Sequence, residues 1–414
     1  MKESIYDVII VGAGPSGLFA AVNLGATGLK VCVLEKMNSA GKKLLISGSS
    51  QCNITNADPI ENFIEHFGNK KNFVKKSIYN FTPVDLLSFF RKSGIEFTED
   101  RNGKIFPASR KSRDILDVLL LKCRESGVHI VYNSAVTSVE NKDSLFNLKS
   151  VSGKYGCRYL IICTGGLSFP MTGSSGDGYR LSESLGHSIV MPVPALHSIS
   201  VYEYFLQDCS GISVPDINVI LFRDRKKIAA NRDDLLFTHA GLSGPVILNL
   251  CRYVRKDDCI RIEIAGVSDQ LNEKFKNLIL KNGKSDSKNA LLNLNLPERL
   301  IISLLKHYGI NGSEKCAVLK KEIIKKTIEV FSSLEFKIKH ADDIKTAMAT
   351  AGGVSLNEVL SGSMESKKCA NLFFSGEVLD IDGDTGGYNL QWAFSSAKTA
   401  ADSILKKEMQ LKIH

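Results

Sequence analysis

Residues Asp7 to Gly17 read Asp-Val-Ile-Ile-Val-Gly-Ala-Gly-Pro-Ser-Gly, an apolar run that breaks into three glycines at G-x-G-x-x-G spacing. Each glycine has its own task at a dinucleotide. Gly12 makes the tight turn out of a strand, Gly14 lets backbone approach a pyrophosphate, and Gly17 lets a helix pack closely on the strand. Pro15 and Ser16 open that helix, whose N-terminus offers unpaired N–H groups and a positive dipole end to phosphate. A second apolar run, Val31-Cys32-Val33-Leu34, closes on Glu35, eighteen residues past Gly17, where a carboxylate is placed to accept from adenosine ribose hydroxyls. Strand, helix and spaced acid together predict a dinucleotide site. The fingerprint serves FAD and NAD alike.

A second group of residues near the C-terminus separates the two. From Ser375 the chain reads Ser-Gly-Glu-Val-Leu-Asp-Ile-Asp-Gly-Asp-Thr-Gly-Gly-Tyr-Asn-Leu-Gln. A strand ends in Gly376-Glu377, an acid-rich turn with Asp380 follows, and Gly386-Gly387 opens a helix at Tyr388-Asn389-Leu390. Acids at a strand end suit the ribityl hydroxyls of a flavin. A helix N-terminus behind Gly387 aims N–H groups at the flavin N1 and C2 carbonyl, where negative charge develops on reduction. An FAD stretched across the sheet needs both elements, and a nicotinamide dehydrogenase needs one.

The elements that must position these groups follow from hydropathy patterning. Residues 1–35 predict β-α-β, residues 81–127 a largely helical segment, and Tyr159 to Cys163 a buried parallel strand ending on Thr164-Gly165-Gly166. After Pro192 and Pro194 the runs become short and β-rich, then helical and Lys-rich from Asp269 to Phe331, before the early style returns at Ala351. The expected fold is α/β: a Rossmann-like dinucleotide-binding domain from 1–191 and 341–414, interrupted by an inserted antiparallel sheet or barrel at 192–268 and 332–340 with a helical insert nested at 269–331.

The chain has 414 residues, 43% of them hydrophobic and 23% charged, an ordinary globular balance. It starts Met-Lys-Glu-Ser without a signal-peptide pattern, and no run is long enough to span a membrane, so a soluble cytoplasmic protein without membrane partners is expected. The ten cysteines include no C-x-x-C pair and the eight histidines do not group with them, so no metal site is expected. The net charge of +9 is uneven. Between Lys70 and Arg113, eleven Lys or Arg stand against four acids. This stretch reads as a solvated face or as a patch for a polyanion.

Further blocks carry a resemblance. Gly41-Lys42-Lys43-Leu44-Leu45-Ile46-Ser47-Gly48-Ser49-Ser50-Gln51-Cys52-Asn53-Ile54-Thr55-Asn56 is similar to the G-x-K-L-x-x-S-G-x-G-R-C-N-x-T-N block of the aminoacetone-oxidase-like (BaiN/YhiN-like) flavoproteins. So are Thr164 to Pro170, Leu236 to Pro245, Thr350 to Val354, Met364 to Lys367 and Gly376 to Gln391. One departure stands out: Ser50-Gln51 replaces the usual Gly-Arg, and Gln lacks the charge and bidentate fork of Arg.

The resemblance implies non-covalent FAD in a two-dinucleotide-type FAD-binding Rossmann-like domain with an inserted β-barrel domain and a nested helical insert domain. The expected contacts are Gly12, Gly14, Pro15, Ser16, Gly17, Glu35, Lys36, Lys43, Ser47, Gly48, Cys52, Asn53, Val136, Thr164, Gly165, Gly166, Gly376, Glu377, Asp380, Gly387, Tyr388, Asn389 and Leu390. Cys52 and His239 combine motif membership with titratable chemistry and are the candidate catalytic acids. Cys52 is preferred, because its loop belongs to the FAD domain. Without a second G-x-G-x-x-G, NAD(P)H is expected as a transient reductant. The expected function is NAD(P)H-driven reduction of a conjugated C=C bond, uracil in ribosomal RNA included, acting on a small molecule or on RNA through the 70–113 stretch. The competing readings are an oxygen-using amine oxidase and a non-catalytic flavin-bound RNA- or partner-binding protein.

Overall fold

The computed structural model describes residues 4–264, 273, 277–279, 281, 283–341 and 344–413. In chain order they form β1 (Ser4–Val11), α1 (Pro15–Gly25), β2 (Val31–Leu34), α2 (Lys42–Ile46), β3 (Thr55–Asn56), β4 (Phe97–Glu99), β5 (Lys104–Pro107), α3 (Ser112–Glu125) and β6 (His129–Val131). There follow β7 (Val136–Lys142), β8 (Leu145–Ser150), β9 (Gly153–Ile162), β10 (Ile189–Ala195), β11 (Ile199–Val201), β12 (Ser213–Arg223), β13 (Lys226–Phe237), β14 (Gly241–Ser243) and β15 (Cys259–Glu263). The last elements are α4 (Glu298–His307), α5 (Lys321–Ser332), β16 (Leu334–Ala341), β17 (Ala349–Val354), β18 (Leu372–Phe374) and α6 (Tyr388–Ile413). Two compact units result, Met1–Pro194 with Ile344–His414, and Ala195–Asp343.

The first unit is built on a seven-stranded sheet ordered β6-β2-β1-β9-β8-β7, with β18 also pairing β9. The pairs β1–β2, β1–β9, β2–β6 and β9–β18 are parallel, whereas β7 and β8 run antiparallel. Strand β2 is buried at every position, as continuous apolar runs in covered parallel sheets are. Helix α6 packs on α1, and the seam carries a buried hydroxyl chain in which Ser375 Oγ lies 2.5 Å from Ser16 Oγ and 2.9 Å from Ser396 Oγ. The stretch 81–127 differs from its helical expectation. Strands β4 and β5 interrupt it, because β5 is held between β4 and β3 in a small antiparallel sheet.

The second unit contains a closed six-stranded barrel, β11-β14-β13-β12-β15-β16. Its strands alternate: Ile217, Val219 and Leu221 of β12 and Leu334, Phe336 and Ile338 of β16 are buried, with more exposed residues between them. Leu300, Ile301 and Leu304 of α4 and Phe331 of α5 join the same apolar core. The Rossmann-type sheet and the barrel match the expected fold class. Residues 268 to 272, where the expected barrel and helical segments meet, lie outside the described residues.

Candidate active site

The glycine turn shows three distinct environments. Gly12 has φ +105°, and a Cβ there would sit 2.6 Å from the Cys163 carbonyl oxygen. A Cβ on Gly17 would sit 2.0 Å from the Gly12 carbonyl oxygen, so helix and strand close onto each other only without a side chain. Around Gly14 the same construction meets nothing within 4 Å. That open space lies at the start of α1, whose first turn has no side-chain cap and no acid. Free N–H groups, a positive dipole end and room are what a pyrophosphate requires. The residues therefore fit a dinucleotide on the structure's own terms.

Glu35 is buried at 9% exposure and is already engaged. Its Oε2 accepts from the Ala13 amide and its Oε1 from the Met37 amide, both at 2.7 Å, which ties the glycine turn to the end of β2. Each carboxylate oxygen keeps a second lone pair for a ribose hydroxyl. Lys36 pairs with Asp177 at 2.6 Å.

The C-terminal acids form a hub that joins motifs distant in sequence. Glu377 Oε2 accepts from Lys43 Nζ at 2.6 Å, and its Oε1 accepts from the Thr350 amide at 2.8 Å and from Ser168 Oγ at 3.2 Å. Thr350 Oγ1 in turn accepts from the Leu167 and Ser168 amides, against Gly166. Asp380 accepts from the Gly352 amide at 3.0 Å and from Lys70 Nζ at 2.6 Å, and Lys70 also reaches Asp382 at 2.9 Å. Sequence reasoning assigned no chemistry to Ser168 or Thr350 and counted Lys70 among surface cations. Nothing local in the sequence marks these partners, which stand 209 residues away for Ser168 and Glu377 and 310 for Lys70 and Asp380.

At the start of α6, a Cβ on Gly387 would lie 2.4 Å from the Thr55 carbonyl oxygen, so the helix N-terminus seats directly on β3. Tyr388 donates to Asp58 Oδ2 at 2.5 Å, and its ring stacks on His66 at 4.0 Å. His66 lies between Asp384 at 2.9 Å and Asp58 at 3.2 Å, a constellation absent from the expected site. Asn389 closes the acid-rich turn by accepting from the Gly383 amide and donating to the Gly383 carbonyl.

The loop after α2 carries the candidate thiol. Gly48, Ser49, Ser50 and Cys52 all have positive φ, between 54° and 69°, a strained run of the kind that clusters at functional sites. Cys52 is fully buried, and burial pushes its thiol up to about 12 against a hydrogen bond from Ser47. The group is therefore protonated at neutral pH, and no part of it is exposed. Buried Asn53 Oδ1 and Thr164 Oγ1 have no hydrogen-bond partner among the described residues. Val136 opens β7, with its carbonyl accepting from Arg180. His239 belongs to the second unit, exposed in the turn between β13 and β14.

Part of the basic stretch 70–113 is engaged by acids. Lys70 is turned inward, Lys71 pairs with Glu65, Arg113 with Asp117, and Arg110 lies 3.7 Å from Asp100.

A mostly parallel Rossmann-type sheet with this glycine turn and acid-rich C-terminal helix start defines an FAD-dependent oxidoreductase. The chain belongs to the HI0933-like family, whose protein Rossmann domain matches residues 6–403. It is similar to a ribosomal RNA dihydrouridine synthase of Haemophilus influenzae, 33% identical over 96% of this chain and 98% of the relative. It is also similar to a 3-dehydro-bile acid delta(4,6)-reductase of Clostridium scindens, 27% identical over 96% and 98%. Among solved structures, a flavocytochrome c3 fumarate reductase shares the fold with TM-score 0.53 at 15% identity, covering 97% of this chain and 78% of that one. A 3-ketosteroid-delta4-(5alpha)-dehydrogenase from Rhodococcus jostii RHA1 does so with TM-score 0.51 at 13% identity, covering 97% and 98%. Among the described residues no helix is long and apolar enough to cross a membrane.

Proposed function

We propose that this protein saturates a conjugated C=C bond, that its substrate is uracil in ribosomal RNA, and that NAD(P)H is the reductant. The observation that carries the reading is the end-to-end likeness to ribosomal RNA dihydrouridine synthases, 33% and 30% identical over at least 96% of both chains. The bile acid reductase, equally full-length, is named for the same type of bond reduction.

When bound, FAD would supply the hydride chemistry for one carbon of the double bond, and the neighbouring carbon would take its proton from the protein. The residues that would hold the cofactor are the α1 N-terminus with Gly12, Gly14 and Gly17, Glu35 at the ribose, and the α6 N-terminus with Gly387. Lys43, Glu377 and Thr350 brace the loops on either side. Cys52 Sγ is the proposed store of the proton. Its high pKa keeps it protonated, and it sits fully buried within the strained loop itself. His239 is the competing donor. A transient NAD(P)H visit fits a chain with a single glycine fingerprint.

Comparing nucleoside digests of ribosomal RNA from cells with and without this gene tests the reading. Dihydrouridine should disappear with the gene and return with a plasmid copy. Unchanged dihydrouridine, together with peroxide production from amines, would replace the proposal with an oxidase.

A further inference from the structure

Asp380, Asp382 and Asp384 alternate in the turn that leads into α6, and one short segment answers all of them. Residues Ile64–Lys70 form a tight helical stretch broken at Gly68 (φ 56°, ψ −129°), with His66 before the break and Lys70 after it. Lys70 Nζ lies 2.6 Å from Asp380 and 2.9 Å from Asp382, and the three side chains are 16%, 17% and 7% exposed. His66 Nδ1 lies 2.9 Å from Asp384, whose amide donates to the His66 carbonyl at 3.0 Å. Buried Phe67 packs against Gly383, where a Cβ would meet its ring at 3.0 Å. Segment and turn therefore meet through both charge and packing.

The other edge of the imidazole is acidic too. His66 Nε2 is 3.2 Å from Asp58 Oδ2, the same oxygen that accepts from the Tyr388 hydroxyl, and the Tyr388 ring stacks on the imidazole. Asp384 before α6, Asp58 after β3 and Tyr388 of α6 thus face the ring. On its own segment, Glu65 is paired with Lys71 and Lys70 is turned to the acids. A doubly protonated ring presents an N–H to each carboxylate, whereas a neutral ring sets one lone pair against an anion.

We propose that His66 and Lys70 are positioning residues that offset the acid-rich turn, so that a flavin at the α6 N-terminus can take up negative charge on reduction. The inference rests on the placement of FAD at Gly387 and is independent of which double bond is reduced. Partly buried carboxylates disfavour a further negative charge nearby more than carboxylates in open water do. Each cation on segment 64–70 removes part of that penalty. The effect falls on the reduced cofactor, because the oxidised flavin ring is neutral. His66 contributes only while its ring is charged, which makes its share of the flavin potential depend on pH.

The test measures the midpoint potential of the bound flavin in FAD-loaded full-length protein by dye-equilibrated reduction. Beside it, FAD-stripped protein is titrated with oxidised FAD. Lys70→Gln should keep its affinity for oxidised FAD within about threefold and weaken its hold on reduced FAD about tenfold relative to that, a fall of about 30 mV for a two-electron couple. Lys70→Arg should restore the wild-type potential. His66→Gln should match wild type at alkaline pH, where the wild-type ring is neutral, and fall below it as the pH drops and that ring gains its proton. Wild-type potentials in both glutamine variants at every pH would overturn the proposal. So would equal losses of oxidised and reduced FAD in Lys70→Gln, since a brace that only shapes the turn weakens both alike. If Lys70→Gln does not fold, the pH comparison between wild type and His66→Gln decides alone. A wild type that binds no FAD removes the cofactor reading itself, whereas a wild type that binds it beside indifferent variants removes only this role.

Discussion

Lys43 Nζ stands 2.6 Å from Glu377 Oε2 across 334 positions of sequence, and the side chains are 25% and 22% exposed. The pair clamps α2 to the turn after β18, so the two halves of the expected cofactor site are held by one carboxylate. Glu377 also fastens Ser168 and the Thr350 amide. Removing either member leaves the other partly buried and under-satisfied. Lys43→Met and Glu377→Gln should each lower stability by about 1–2 kcal/mol. In a double-mutant cycle by urea unfolding the double variant should cost less than the sum. Strict additivity would show that the pair does not couple.

Gly14 and Gly17 should fail in different ways. Gly14→Val projects into open space from φ −76°, which any residue adopts, so the fold should survive with Tm near wild type while FAD retention is lost. Gly17→Ala drives a methyl to 2.0 Å from the Gly12 carbonyl oxygen and should cost about 3 kcal/mol of stability. Flavin absorbance after gel filtration, read beside thermal melts, distinguishes the two. A Gly14→Val protein that keeps its flavin contradicts the assigned pyrophosphate position.

Stability should fall on acidification in two steps. His187, with its side chain fully buried, has its pKa lowered from 6.5 chiefly by desolvation, with Glu358 3.3 Å away opposing the shift. Glu358 is itself desolvated, but hydrogen bonds from Lys368 and from Ser188 outweigh this and hold its carboxyl at about 2. Both groups bind protons more readily in the unfolded chain, so both contributions are complete above the unfolded values and decline below them. Stability should therefore begin to drop below about pH 6.5 and drop further from about pH 4.5 toward 2. In Glu358→Gln the lower limb should flatten. Denaturant titrations at a series of pH values that show equal limbs in both proteins would refute the assignment.

Proton delivery separates Cys52 from His239. Cys52→Ala should retain flavin and its reduction by NAD(P)H yet slow reoxidation by the RNA substrate by roughly 100-fold or more, the usual scale of a general acid. His239→Ala should leave this half-reaction unchanged. The opposite pattern in stopped-flow traces would transfer the role to the histidine, exposed on its turn in the barrel unit.

Local chemistry made much of this protein legible from its residues. Gly12, Gly14 and Gly17 have one useful arrangement, since their spacing, the apolar runs around them and the acid at Glu35 all describe a strand–turn–helix–strand unit whose contacts span about thirty residues. The alternating runs after Pro194 likewise carry the barrel's period-two signature. The tertiary structure decided which charges belong together. Lys70, one of eleven cations in a stretch that reads as surface, turns inward to Asp380 and Asp382, and Arg110 crosses to Gln51. Strand periodicity carries no record of such choices, because a long flexible side chain finds its partner only after loops far apart in sequence have been brought side by side.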